Sequence, residues 1–262
     1  MIKKISTILL TLITLVSYTS IALACNTNSA DFDGTSNTLY ATDSTSLSVT
    51  GDFTIELFFK NSSATGDEMS LFTKSNDAET GQVINFRILD ADSFQFRVTG
   101  SGGDSALGYT STGLFTDGNW HAIAGTYTQS DKKVRIFVGG TLVGASTLSN
   151  ASTITDSTGR VCIGARVCGG TTDRWFPGFI DEVRLSNSVR YTGNYTVQTD
   201  DFVDDANTMA LYHFNSDLTT DDSGNGNTLA NVNSVTQSAT IPYVGVCASA
   251  IIPKNELLII FE

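Results

Sequence analysis

The segment "FTIELFFK", residues 53–60, puts Phe53, Ile55, Leu57 and Phe59 on one face of an extended chain, and Thr54, Glu56 and Lys60 on the other. The pattern recurs. "VINFRIL" groups Ile84, Phe86 and Ile88; "FQFRV" groups Phe94, Phe96 and Val98; "VRIFV" groups Val134, Ile136 and Val138. A period of two with one polar face cannot form the apolar stripe of a helix. It marks antiparallel strands packed on one side. Gly, Ser, Thr, Asn and Asp fill the gaps. "VGGT" at 138–141 reads as a tight hairpin turn, because Gly-Gly accepts positive φ, and "SDKK" at 130–133 reads as another turn. No long 3.6-period stretch follows the first residues; at most "SNSVRYT", 186–192, makes one helical turn capped by Ser186 or Asn187. Many short strands without helices predict an all-β fold: a two-sheet antiparallel sandwich in one domain.

Lys3 and Lys4, the apolar run "ISTILLTLITLVSYTSIALA" and the small-x-small "ALA" at 22–24 predict a signal peptide over residues 1–24. The folded domain is expected over 25–247, with a C-terminal tail at 248–262. Within that tail "NELLIIFE" is too short to span a bilayer, and no transmembrane span is expected after cleavage. The expected location is secreted or extracellular. A lipid anchor through Cys25 is the lesser alternative, since Ala22 stands where a lipoprotein box prefers Leu. The formal net charge is −12, which repels phosphate backbones and argues against nucleic acid as a partner. Cys25, Cys162, Cys168 and Cys247 suit an oxidising compartment. Four cysteines permit three pairings, and no two-residue spacing suggests zinc.

Four longer pieces then occur in order. They are "ADFDGTSNTLYATDSTSLSVTGDFTIELFFK", "DGNWHAIAGTYTQSDKKVRIFVGGTLVG", "VCIGARVCGGTTDRWFPGFIDEVRLSNSVRYTGNYT" and "ANTMALYHFNSDLTTDDSGNGNTL". Together they resemble the laminin-G-like (concanavalin A-like) jelly-roll family. The resemblance implies two curved antiparallel sheets face to face, and a protein that binds carbohydrates, matrix proteins or neighbouring domains, often with a structural Ca²⁺. It implies a Cys162–Cys168 disulfide ahead of "FPGFIDEV". It also implies a Cys25–Cys247 bridge, because jelly-roll termini tend to lie close together. His121 and His213 fall where the family has strand residues, and are read as structural. No Gly-x-Ser-x-Gly elbow is present. "DDSGNGN", 221–227, is a turn that lacks the bidentate Glu of an EF-hand.

The strand "FIDEVRL", 179–185, carries the sharpest question. The laminarinase-type enzymes on this fold use Glu-x-Asp-x-x-Glu; placed on Asp181, that pattern meets Phe179 and Arg184. The catalytic pair is absent, and no enzyme activity is expected. Strand phase puts Asp181 with Phe179, Val183 and Leu185 on the apolar face, and Glu182 opposite with Ile180 and Arg184. A carboxylate on a core face needs a partner. Two are considered: backbone amides, or a Ca²⁺ shared with oxygens of Asp33 and Gly34. Tyr109, Trp175 and Tyr191 are the candidate aromatic contacts for a sugar. The expected function is a secreted, non-catalytic binding or adhesion module for an extracellular glycan or surface protein, carbohydrate first. The alternative is a structural or interaction domain of a cell-surface or appendage assembly; a glycoside hydrolase ranks below both.

Overall fold

The computed structural model describes residues 17–22, 26–62, 68–75, 82–89, 93–101, 105–109, 115, 117–148, 153–154, 156–168, 173–243 and 249–254. Strands follow in chain order as β1 (Ser17–Ala22), β2 (Ser29–Asp33), β3 (Thr38–Ala41), β4 (Phe53–Asn61), β5 (Met69–Ser75) and β6 (Gln82–Leu89). Next come β7 (Ser93–Thr99), β8 (Ser105–Tyr109), β9 (His121–Thr128), β10 (Lys133–Val138), β11 (Thr141–Thr147) and β12 (Arg160–Ile163). The last are β13 (Pro177–Ser186), β14 (Thr208–Tyr212), β15 (Ala230–Val232), β16 (Thr236–Ser238) and β17 (Ser249–Lys254). Among the described residues the helical content is one 3₁₀ turn, Thr45–Leu47.

The chain divides into two units. In the first, β1 pairs antiparallel with β17, Ser17 facing Lys254. The second, Cys25–Gly245, is a sandwich of two antiparallel sheets. One sheet runs β11-β10-β9-β4-β13-β2-β16, with β14 added beside β13; the other runs β15-β3-β12-β5-β6-β7-β8. The alternating residues meet between them. Phe53 packs edge-on against Phe96, with ring centroids 6.0 Å apart, and Phe59 stacks on Phe94 at 6.1 Å. Such aromatic pairs add to the burial that drives the layers together. At Gly125 a Cβ would come within 2.6 Å of the Phe96 ring, so the two sheets touch there only because the side chain is missing.

The Gly139–Gly140 turn joins β10 to β11 with φ of 54° and 76°, as its sequence predicts. The disulfide between Cys162 and Cys168 is formed, with Cα atoms 5.9 Å apart. Cys25 and Cys247 lie outside the described residues, and so does the proposed bridge between them. Residues 186–192 do not form even the one helical turn that the sequence allowed. The Thr54 hydroxyl donates to Ser188 O at 2.7 Å and accepts from Arg190 N at 2.9 Å, so those backbone groups bond to a neighbouring strand instead.

The strand phase of Asp181 also needs correcting. Asp181 faces Phe58 and Arg184 faces Glu56, so Glu182 and Val183 together oppose Leu57: a β-bulge. Glu182 takes φ = 52°, the left-handed conformation that such bulges usually give to glycine. Ile180, Val183 and Leu185 point into the core, whereas Asp181 shares the outer face with Phe58 and Arg184.

Candidate functional site

Strand β13 carries three buried charged residues, Asp181, Glu182 and Arg184. Its outer face is covered by the chain's own residues 187–207, with Phe202 and Val197 packed on Phe58, Leu211 and Trp120. Beneath this cover Glu56, 1% exposed, accepts from Arg184 Nε at 2.9 Å and from the Tyr191 hydroxyl at 2.7 Å. Arg184 lies over the Phe202 ring at 4.4 Å and donates to Val203 O at 3.0 Å. Arg190 grips Asp205 with two bonds of 2.9 Å, which hold that carboxyl below its usual range. Each charge is met by an opposite charge in hydrogen-bond geometry, the condition under which burial is tolerated.

Asp181 is different. It is fully buried, accepts from Asn26 Nδ2 at 2.8 Å and from Glu182 N at 2.9 Å, and has no cationic side chain beside it among the described residues. Burial, and then the charge of Glu182, raise its pKa well above the ordinary value. The Asn26 Oδ1, on a residue only 3% exposed, has no donor. The Tyr243 hydroxyl lies beside Asn26 and in the field of Glu182, Asp201 and Asp181, and burial raises its pKa. A buried carboxylate beside an amide oxygen supplies the oxygen ligands that a hard cation such as the Ca²⁺ that the resemblance implies would take.

Asp33 and Gly34 are not part of that group. Asp33 faces Pro177 across β2 and β13, four residues from Asp181, or about 13 Å along the strand. Its Oδ1 accepts from the amides of Thr35, Ser36 and Asn37, at 2.8, 2.8 and 3.2 Å. Slight burial would raise its pKa, but these bonds hold it low. Asp33 organises its own loop, and Gly34, φ = 70°, turns against Pro177.

On the bulge, Glu182 accepts from His213 Nδ1 at 2.7 Å and from Phe202 N at 2.6 Å. Glu182, Asp201 and His213 bring their ligating atoms within 4.8 Å of one another. Burial raises the Glu182 pKa against the pull of His213 and Phe202. Burial would lower His213, but its bond to Glu182 and the surrounding carboxylates raise it. Both oxygens of Glu182 are engaged by protein donors, and the trio is placed to share a proton or to offer three ligand atoms to a metal ion. His121 is structural: its ring packs on Phe59 and Phe115, and its Nε2 meets Asp117 at 2.9 Å.

The aromatic candidates are not gathered into one site. Tyr109 lies in the seven-stranded sheet opposite Gln95 by register. Trp175 is half-buried in the segment entering β13. Tyr191 belongs to the cover of the other sheet, stacked on Tyr195 at 3.6 Å, with its hydroxyl tied to Glu56.

A polar cleft of about 460 Å³ opens between the 3₁₀ turn, the loop before β4 and the residues leading into β14. Thr45, Thr50, Asp52, Asn187, Thr208 and Asn225 supply its polar lining, over Val49 and Met209. One wall is fixed by Asn227, whose Oδ1 accepts from Ser44 and Ser46 at 2.7 and 2.8 Å and whose Nδ2 donates to Met209 O at 2.9 Å. The turn "DDSGNGN" builds that wall, with Asp221 Oδ1 accepting from Leu211 and Ser223 amides, both at 3.1 Å. Sequence reasoning missed this cleft and Asn26. Asn26 had no distinguishing signal; the runs of Ser and Thr at 44–50 were visible but read only as loop.

The fold recurs among solved structures. A Bacteroides ovatus protein assigned to carbohydrate binding aligns with 82% of this chain and 60% of its own, at 19% identity and a TM-score of 0.58. Domains LG4-5 of the mouse laminin alpha1 chain align with 69% of this chain and 46% of theirs, at 17% identity and a TM-score of 0.49. The chain thus spans about three fifths of the first protein and under half of the second. No curated protein matches the sequence. Residues 33–193, well over half of the chain, match the family described as the concanavalin A-like lectin/glucanases superfamily. With its two-sheet sandwich and this match, the chain belongs to the concanavalin A-like lectin/glucanases superfamily.

Proposed function

We propose that the protein is an exported, non-catalytic binding module whose ligand is a carbohydrate, with Asp181 and Asn26 holding a structural Ca²⁺. The observation that carries the reading is the sealing of β13. Asp181 and Glu182 are 0% exposed and Glu56 is 1% exposed, each under the chain's own cover, so none can reach a glycosidic bond. A fold used for binding and stripped of an accessible acid pair on this strand supports recognition without turnover. The assignment of carbohydrate binding to the Bacteroides ovatus relative points the same way. A bound Ca²⁺ would neutralise carboxylates that burial otherwise leaves uncompensated.

The test is a glycan array probed with the full chain, alongside reducing-sugar release from β-glucans. Array binding without sugar release is expected. Release that disappears in Glu182→Gln would identify an enzyme. A silent array, with capture of a surface protein instead, would favour the interaction-domain alternative.

A further inference from the structure

The cleft between the 3₁₀ turn and β14 differs from other polar clusters here because its lining keeps unused hydrogen-bonding capacity. Thr45, Thr50 and Asn187 are exposed, and among the described residues their side chains make no hydrogen bond. Asp52 spends Oδ1 on Gln129 N at 2.7 Å and keeps Oδ2. Asn225 spends its amide nitrogen on the carbonyls of Thr208 and Met209, at 3.0 and 3.1 Å, and keeps its oxygen. These spare groups stand on rigid supports: Leu47 and Val49 are buried in the core, and Asn227 clamps the loop that presents Thr45 and Thr50. Groups held in place lose little freedom on binding.

We infer that this cleft binds a neutral, hydroxyl-rich saccharide unit; the inference rests on the carbohydrate reading above and assigns it a site. The volume of about 460 Å³ falls within the ~300–1,000 Å³ of small-molecule sites. Among the described residues no lysine, arginine or aromatic ring lines it. An anionic sugar would meet Asp52 in a chain of net charge −12 with no counter-charge. An apolar ligand would strip water from the hydroxyls and return nothing. A neutral sugar replaces those waters with its own hydroxyls, bond for bond. Without a ring to stack on, hydrogen bonds carry the affinity, and loss of one costs about tenfold.

The experiment uses the full chain labelled with ¹⁵N. It is titrated with the methyl glycosides of glucose, galactose, mannose and N-acetylglucosamine, and with methyl glucuronide, next to the glycan array. Saturable shifts confined to the amides of Thr50, Gly51, Asn187 and Asn225 with a neutral glycoside are expected. Asn187→Ala should weaken that binding about tenfold, and Thr50→Arg should abolish it, both with unchanged melting temperature. Glycan binding that shifts other amides, or that survives Thr50→Arg, overturns the site and leaves the carbohydrate reading standing. Binding of the glucuronide alone overturns the ligand class. No binding to any glycan overturns both.

Discussion

The network over β13 and the cleft beside β14 are built from the same kinds of polar side chain, yet they are opposites. Over β13 the chain folds back on itself: Glu56 and Arg184 satisfy each other out of water, and Arg190 and Asp205 pair at the edge of the cover. In the cleft, Thr45, Thr50 and Asn187 face solvent, and among the described residues their side chains make no hydrogen bond. Polar groups that are buried must be paired, so their pairing reports stability. Polar groups that are exposed, positioned and unpaired have capacity left for a ligand. Charge density on a strand is therefore a poor guide to function in this molecule.

The comparison breaks most visibly at Glu56. Glu56→Gln leaves Arg184 buried with its main counter-charge gone, and should cost about 3–5 kcal/mol in urea unfolding. A loss under about 1 kcal/mol would mean that the cover is loose and the network wet.

Asp181 comes next. Millimolar Ca²⁺ should raise the melting temperature above that in EDTA, by about 2.7 kcal/mol of stability when the ion is at a hundred times its dissociation constant. Asp181→Asn should abolish the response. A parent protein indifferent to Ca²⁺ would leave the hydrogen bonds from Asn26 and from the Glu182 amide as the support for the carboxyl.

A pH series in EDTA sharpens the contrast further. Asp181 and Glu182 have folded pKa values above their ordinary 3.8 and 4.5, so the folded state holds those protons more tightly than the unfolded chain. Their contribution to stability is complete below those ordinary values and falls as pH rises through the folded pKa values, whereas Asp33 and Asp205, held low, lose theirs in acid. His213 is raised from 6.5, so its contribution is complete below that value and is lost as pH climbs through the folded pKa. His213→Gln should flatten the upper part of the slope and leave the lower part. A profile flat from pH 4 to 8 would contradict the buried proton network. The smallest effect belongs to the cleft: Thr45→Ala, Thr50→Ala and Asn187→Ala should each change stability by less than about 0.5 kcal/mol.

The alternation at Phe53–Phe59, Ile84–Ile88, Phe94–Val98 and Val134–Val138 made the sandwich legible, because it depends only on neighbours along the chain. The bulge was not legible. Glu182 and Val183 read as ordinary strand positions until the facing residue is known to be Leu57 alone, and one extra residue turns Asp181 from the core face to the covered face. Asn26 lies 155 positions before Asp181, in a segment with no pattern of its own, and no local rule connects them. Cys162 and Cys168 sit close in sequence, and their bridge formed as the resemblance implied. The cleft draws on loops from four parts of the chain, none of which looks like a site by itself.

The Gly139–Gly140 turn has a consequence for the order of folding. Gly140 O accepts from Tyr195 N at 2.8 Å, and a Cβ on Gly140 would run into the Tyr195 carbonyl. The hairpin of β10 and β11 closes through local contacts, whereas Tyr195 must return from far along the chain to reach it, and long loops close late. The turn thus serves as a latch set before the cover arrives. Gly140→Ala strains the early turn, since φ = 76° disfavours a side chain, and also blocks the late contact, so it should both slow folding and speed unfolding.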